Sequence, residues 1–439
     1  MNLGLSGSGA RRRSSLGLPL PMSLGLPARA PPRLARLALG ALVLLVLGAL
    51  YILLTPYAPV PSRASARALQ RTAFRRTAHH RRVRCTYSDA HWRRYRGLKA
   101  GRRVFLAVNL FESEAVVGMF FQELPGVIEA LGGGENVYVS VYENGSGDRT
   151  PEMLDLFDKL LTALQVPHTV VSKGAAERSD KEEGKRILVL AAARNLAMEP
   201  LYLGAAAAAL GGEPDEVLFM NDIFFCAADV LEVVYQKRRQ GMHQACALDW
   251  DPGQIAYDRW VLRSMSGRNW YRTPELVDWF NGPNDHPKSV PFALQDDLAD
   301  RVRFEAHLPL QVFSCWNGAS VIDASAFLPP RNMRFRQSRA DMDEHLGVPK
   351  NATMKASECF LSSVDLWKMG FGRIGIVPKA SVAYTADLYD RWRKDGLELL
   401  PEVAVHEWIN WRADPPTQVA FQDYAWWWVP DRWGPWDEQ

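Results

Sequence analysis

The sequence predicts an α/β fold: a mixed, mainly parallel sheet flanked by helices. Three observations predict it. From Arg103 onward, short apolar runs alternate with stretches of helical spacing, the order that builds a parallel sheet covered on both faces. Several of those runs end in Asn or Asp, and in such sheets ligands bind beyond the carboxyl ends of the strands. The composition, 47% hydrophobic and 23% charged over 439 residues, supplies the apolar surface a large core requires and excludes a disordered chain. A formal charge of +3, with the arginines gathered at the amino end, does not point to nucleic acid as a partner.

The elements follow in order. Val104 to Leu110 is an apolar strand ending around Asn109, and Phe111 to Leu131 has helical spacing. Val137 to Tyr142 is a second strand, Met153 to Leu164 a helix, and Thr169 to Val171 a short strand. Lys185 to Leu203 reads as one helix, Glu216 to Met220 as a strand delivering Asn221-Asp222, Ala228 to Arg239 as a helix and Gln244 to Leu248 as a strand. Phe313 to Gly318 and Ala319 to Ile322 look like a further strand pair.

The first hundred residues differ in kind. Residues 1–36, rich in Gly, Ser, Leu, Pro and Arg, are expected to be a disordered tail. Residues 37–54 run without a charge, close to the ~20 apolar residues that span a bilayer, and are expected to be a transmembrane helix. A cleaved signal peptide is the alternative, and Ala64-Ser65-Ala66 has the form of its cleavage site, but such a segment has a shorter apolar core. Six arginines precede the span and eight more follow it by Arg84, so charge alone does not fix topology. Residues 55–100 read as an Arg-rich stem, 101–400 as the catalytic domain and 401–439 as a Trp-rich extension.

The five cysteines contain no Cys-x-x-Cys pair, so no zinc framework is expected; the odd count leaves at least one thiol free, and no pairing is assigned. Sequons stand at Asn144-Gly145-Ser146 and Asn351-Ala352-Thr353. After the second strand, Tyr142-Glu143-Asn144-Gly145-Ser146-Gly147-Asp148 offers backbone N–H groups and small side chains suited to the base or ribose of a nucleotide; a plain solvent turn is the alternative. Asp222, directly after an apolar strand, can reach a hard cation bridging two phosphates, or it caps the following helix. Arg194, in the preceding helix, can add a guanidinium to a diphosphate or sit in a surface ion pair.

Taken together, Val108-Asn109-Leu110, Tyr142-Glu143-Asn144-Gly145-Ser146, Ala193-Arg194-Asn195, Phe219-Met220-Asn221-Asp222, Cys246-Ala247-Leu248-Asp249-Trp250, Cys315-Trp316-Asn317-Gly318 and Ser357-Glu358-Cys359 resemble the cryptococcal-type α-1,3-mannosyltransferase family. The likeness covers about residues 103–385 and lies in the ordered set of motifs. It implies a GT-A-like (Rossmann-like) fold and retaining transfer of mannose from GDP-mannose to a glycan acceptor, for capsule or cell-surface glycans. It also implies a single-pass type II protein of the Golgi membrane with a lumenal catalytic domain. A divalent metal, Mn2+, is implied as cofactor, with Asp222 as ligand and His406 as a second. The GT-A signature is Asp-x-Asp, whereas this chain has Asn221-Asp222-Ile223, so only one carboxylate is supplied there.

On that reading Asn109, Tyr142, Glu143, Asn144, Ser146, Arg194, Asn221, Trp316 and Asn317 are donor-binding candidates. Asp249, beside Trp250, Asp251, and Glu358, opening a helical run, are the candidate acids or bases; the alternatives are an exposed strand end for Asp249 and a helix-dipole carboxylate for Glu358. Trp316-Asn317-Gly318 is either a sugar wall or a tight turn over a core tryptophan. Residues 260–301 suit an acceptor-binding region. The tryptophans from Trp408 to Trp436 are expected to pack on the domain rather than to bind carbohydrate. A transferase using a UDP-sugar, a degenerate carbohydrate-binding protein and a glycoside hydrolase are the rival readings, the last disfavoured by the strand-end Asn and Asp residues.

Overall fold

The structure is a computed structural model that describes residues 63–174, 186–251, 255–281, 293–338, 356–392, 408–421 and 432–437, with Leu42, Val43 and Val46. The expected tail, nearly all of the expected span, His406, the sequon at Asn351 and Trp426 to Trp428 lie outside the described residues. Among the described residues no helix is long and apolar enough to cross a membrane. The chain divides into two units, residues 1–60 and 61–439, and the architecture below is that of the second.

The first strands are β1 (Val104–Leu110), β2 (Val137–Glu143), β3 (His168–Val171), β4 (Glu216–Met220) and β5 (Gln244–Asp249). They are joined by β6 (Leu310–Gln311), β7 (Ala319–Asp323) and β8 (Ile374–Val382) in one sheet of order β3-β2-β1-β4-β7-β5-β8-β6. β1, β2, β3 and β4 run parallel, as do β5 and β8, while β7 lies antiparallel between β4 and β5. Because β7 is reversed, β4 and β5 point the same way, and all four major strand ends fall on one edge.

The apolar runs are buried on both faces because each face carries helices. Along β1, Val104, Leu106 and Val108 join one core and Phe105 and Ala107 the other, the period of two expected of a strand. The first face is covered by α3 (Glu114–Ala130), α4 (Thr150–Ala163) and α6 (Ala227–Gln240); the second carries α5 (Arg186–Ala197) and α7 (Glu358–Lys368). Ahead of β1 stand α1 (Arg63–Arg76) and α2 (Asp89–Tyr95).

Two sequence expectations are corrected. The helix expected from Lys185 to Leu203 breaks after Ala197, and a short helix restarts at Glu199–Tyr202 with Pro200 in its first turn, where a missing N–H does no harm. Phe313 to Gly318 is not a strand: Asn317 and Gly318 have φ of 51° and 79°, which turns the chain just before β7. The Arg-rich segment does not stand free from residue 63 on. Gln70 donates to Phe121 O at 2.9 Å, Arg94 pairs with Glu232 at 2.8 Å, and Cys85 is disulfide-bonded to Cys226 at the start of α6. At the other end, Trp436 packs edge-on against Phe313 and Trp411 Nε1 donates to Gln240 O. These two tryptophans are packed on the domain, while Trp408 and Trp433 remain partly exposed under Arg239 and Arg268.

A second disulfide joins Cys246 to Cys315, and Cys359 is free and buried. The Cys85–Cys226 bridge spans 141 residues of sequence, so it removes much chain entropy from the unfolded state. Replacing both cysteines by Ser is expected to lower unfolding free energy by about 2–4 kcal/mol, read by denaturant titration of oxidised protein. An unchanged midpoint would contradict the bridge.

Candidate active site

The register brings the strand ends together. Asn109 lies beside Tyr142 across β1 and β2, Val108 faces Met220 across β1 and β4, and Met220 faces Ala319. Beyond the strands the ladder continues, with Asn221 N donating to Gly318 O at 2.8 Å and Phe224 bridging Ala383. Asn109, Tyr142, Asn221, Asp222, Asn317 and Asp249 therefore share one carboxyl edge.

Behind that edge sits a buried cation. Arg194, 5% exposed on α5, donates through Nε to Glu358 Oε1 at 2.9 Å and through Nη1 to Asn221 Oδ1 at 3.0 Å. Its guanidinium stacks over the Trp316 ring at 4.6 Å. Trp316 Nε1 donates to the same Asn221 oxygen at 3.0 Å, and Asn221 Nδ2 donates to the Tyr384 hydroxyl at 2.9 Å. Every polar atom of the Asn221 side chain is thus held, which fixes the chain at the step before Asp222. Arg194 and Glu358 form a matched buried pair, with Glu358 Oε2 left without a hydrogen-bond partner. Trp316 is fully buried, a packed part of this clamp.

Asp222 is half-buried, and no side chain hydrogen-bonds its carboxylate among the described residues. Burial pushes its pKa up to about 6, against the pull of Arg194. A half-buried, unpaired hard-oxygen donor is what Mg2+ or Mn2+ prefers, so the residue fits a divalent ion. His406, the other expected ligand, lies outside the described residues.

On the far side of Asn221 the edge holds an acid pair. Asp249 ends β5 fully buried; Asn317 Nδ2 donates to its Oδ1 at 2.7 Å, Asp258 N donates to the same oxygen at 3.3 Å, and Oδ2 has no partner. Asn317 N reaches Asp258 Oδ2 at 3.5 Å, and Asp258 is half-buried. Burial pushes both carboxyls up toward neutrality, and the charge of Asp249 adds to the rise at Asp258. The loop holding Asn317 is anchored to β5 by the Cys246–Cys315 bridge, and Gly318 makes its turn possible. A Cβ there would stand 2.9 Å from Ile223 Cγ2.

The β1 and β2 ends are built differently. Glu143, fully buried, accepts from the amides of Ser146 and Lys173, and Ser146 Oγ accepts from Glu112 N at 2.8 Å. Asp148 accepts from Thr150 N, and Glu112 from Gly147 N. The amides of Ser146 and Gly147 are therefore taken, the first by Glu143 and the second by Glu112 of the loop after β1. What remains on this side is the buried ring of Tyr142 and the amide oxygens of Asn109 and Asn144, both without a hydrogen-bond partner. Buried polar atoms are ordinarily paired, so a group of orphans at Asn109, Asn144, Asp249 and Glu358 along one edge marks a place where ligand atoms complete the set.

Sequence reasoning missed Asp258 and Tyr384. Both lie outside the strand-end pattern, on a loop after β5 and just past β8, and the available signal was an acid beside aromatics in Tyr257-Asp258-Arg259.

A mainly parallel sheet with an acidic carboxyl edge defines a protein of the α/β class, in which ligands bind across the strand ends. A family model described as cryptococcal mannosyltransferase 1 matches residues 103–365, and the chain belongs to that family. Alpha-1,3-mannosyltransferase CMT1 of Cryptococcus neoformans var. neoformans serotype D is 29% identical over 348 residues, 76% of this chain and 71% of that one. Among solved structures, the Pyrobaculum calidifontis mannosyltransferase in complex with GDP-Man and Mn2+ is 12% identical with a TM-score of 0.32, covering 72% of this chain and 67% of the other. Glucosyl-3-phosphoglycerate synthase of Mycobacterium tuberculosis, with Mn2+ and UDP, is also 12% identical at a TM-score of 0.32, covering 69% and 77%.

The acid pair has a measurable signature. Aspartates titrate near 4 when unfolded and higher in this fold, so folding takes up protons between those values and stability declines as pH rises through the window. Asp258→Asn removes one charge of the pair. Its melting temperature relative to wild type is expected to climb from pH 4 to pH 7.5, and a flat difference would contradict the pairing.

Proposed function

We propose that this protein transfers mannose from GDP-mannose to a hydroxyl of a glycan acceptor, retaining configuration and forming an α-1,3 linkage, on a GT-A-like fold. Membership of the mannosyltransferase family supports the reaction class, and the aimed Asp222 is the observation that carries the site. In this reading Asn109, Tyr142 and Asn144 receive the base and ribose, with Glu143 and Ser146 holding the loop around them. Asp222, with His406, would hold Mn2+, which when bound supplies positive charge to the leaving diphosphate.

The chain's own residues do the rest. Arg194, clamped behind Asn221, adds a fixed positive charge at the edge and keeps Asp222 in place. Trp316 backs the Asn221 amide, and Asn317 holds Asp249, whose unpartnered Oδ2 is available to a sugar hydroxyl. Glu358 keeps Arg194 charged and in place, and its free oxygen is the second acid of the edge.

The proposal includes an anchor at residues 37–54, a cytoplasmic tail and a catalytic domain in the Golgi lumen. Two disulfides in the folded unit support an oxidising compartment for it.

Calorimetry on the purified full-length chain tests the site. GDP is expected to bind more tightly with Mn2+ than with chelator, and Asp222→Ala to abolish that gain and to lower mannose transfer by about a hundredfold or more. A wild-type chain that gains nothing from Mn2+, or that turns over UDP-sugars in preference to GDP-mannose, would overturn the metal or the donor assignment.

A further inference from the structure

The clamp and the acid pair leave one group of the edge unexplained. Tyr257 is 49% exposed, a large aromatic ring kept in water at the rim. Its position is not loose, since its amide donates to Asp249 O at 3.1 Å, and its ring centre lies 4.7 Å from that of Tyr384. Tyr384 is in turn fixed by Asn221 Nδ2 on its hydroxyl. Beside the two rings stands Asp258, whose Oδ2 meets only the long contact from Asn317 N and whose Oδ1 takes no hydrogen bond among the described residues. A rigid half-exposed aromatic face next to an under-used carboxylate is the chemistry that grips a pyranose: the ring covers C–H groups, and the carboxylate accepts from hydroxyls.

We propose that Tyr257, Tyr384 and Asp258 form the subsite for the acceptor sugar, held as a pyranose by its C–H face and its hydroxyls. The assignment to acceptor rather than donor rests on the function proposed above and on order along the edge. The sheet runs β2, β1, β4, β7, β5, so the nucleotide side, Asp222 and the acid pair follow one another. Tyr257 and Asp258 stand at the end of β5, two strands from β4, and Tyr384, hydrogen-bonded to Asn221, spans the interval.

Saturation-transfer NMR on the full-length chain with GDP and Mg2+ tests this, using the methyl α-glycosides of mannose, glucose and galactose and of glucuronic acid as probes. At least one of these glycosides is expected to bind wild type. Tyr257→Ala is expected to weaken it about fivefold or more and Tyr257→Phe by less than about twofold, since the ring face and not the hydroxyl is used. Asp258→Asn should weaken it about tenfold, as loss of a charged acceptor does. GDP affinity should be unchanged in all three. No binding of any glycoside by wild type, or undiminished binding by both Tyr257→Ala and Asp258→Asn, would overturn the subsite. Loss of GDP affinity in parallel with the glycoside would also overturn it, by moving these residues to the donor. Absence of GDP binding by wild type would instead sink the function proposed above, with the glycoside comparison still deciding the subsite.

Discussion

The edge of this sheet is organised by one buried ion pair and what it holds. Arg194 lies between Glu358 and the side-chain oxygen of Asn221, under the face of Trp316, at a depth where a lone guanidinium could not remain. Removing one member of such a pair costs about 3–5 kcal/mol because the other charge is left stranded, so α5, α7 and the end of β4 are tied into one unit. The same arrangement leaves Asn221 no freedom. With its oxygen held twice and its nitrogen donated to Tyr384, the chain direction at Asp222 is set by hydrogen bonds rather than by a loop that could wander.

The antiparallel β7 matters as much as the clamp. Inserted between β4 and β5, it returns the chain to the same edge, so that Asn317 and Gly318 arrive between the two carboxylate-bearing strands. Asn317 holds Asp249, Gly318 accepts from the Asn221 amide, and the Cys246–Cys315 bridge fastens their loop to β5. Two halves of the edge that would otherwise be separate, one around Asp222 and one around Asp249, are joined by a turn that only a residue without Cβ permits at position 318. The raised carboxyls of Asp222, Asp249 and Asp258 are the energetic consequence of burial, with the charge of Asp249 adding to the rise at Asp258.

Asn109, Asn221 and Asp249 were legible in the sequence because each closes a run of apolar residues buried on both faces, and such runs show without any tertiary information. The parallel order was legible for the same reason. The direction of β7 and the existence of β8 were not: a five-residue apolar run looks the same in either sense, and Pro378 in the middle of β8 reads as a strand breaker. Arg194 was found but its orientation was not, because an arginine in a helix shows no sign of whether it faces ligand or core. Glu143 and Ser146 were found as a polar loop, whereas their use of each other's hydrogen bonds is a matter of geometry. Asp258 and Tyr384 depend on a loop and a strand end meeting from more than a hundred residues apart, and periodicity carries no trace of that.

The claim that the Arg194 clamp aims Asp222 is tested most directly by electron paramagnetic resonance of Mn2+ titrated into the GDP-loaded protein. The double variant Arg194→Met with Glu358→Gln removes both charges and keeps the volume, so the fold is preserved while Asn221 loses its anchor. Mn2+ affinity falling about tenfold or more is the result the clamp requires, as expected when the support of a metal ligand is withdrawn. Unchanged Mn2+ affinity in a folded double variant would contradict it.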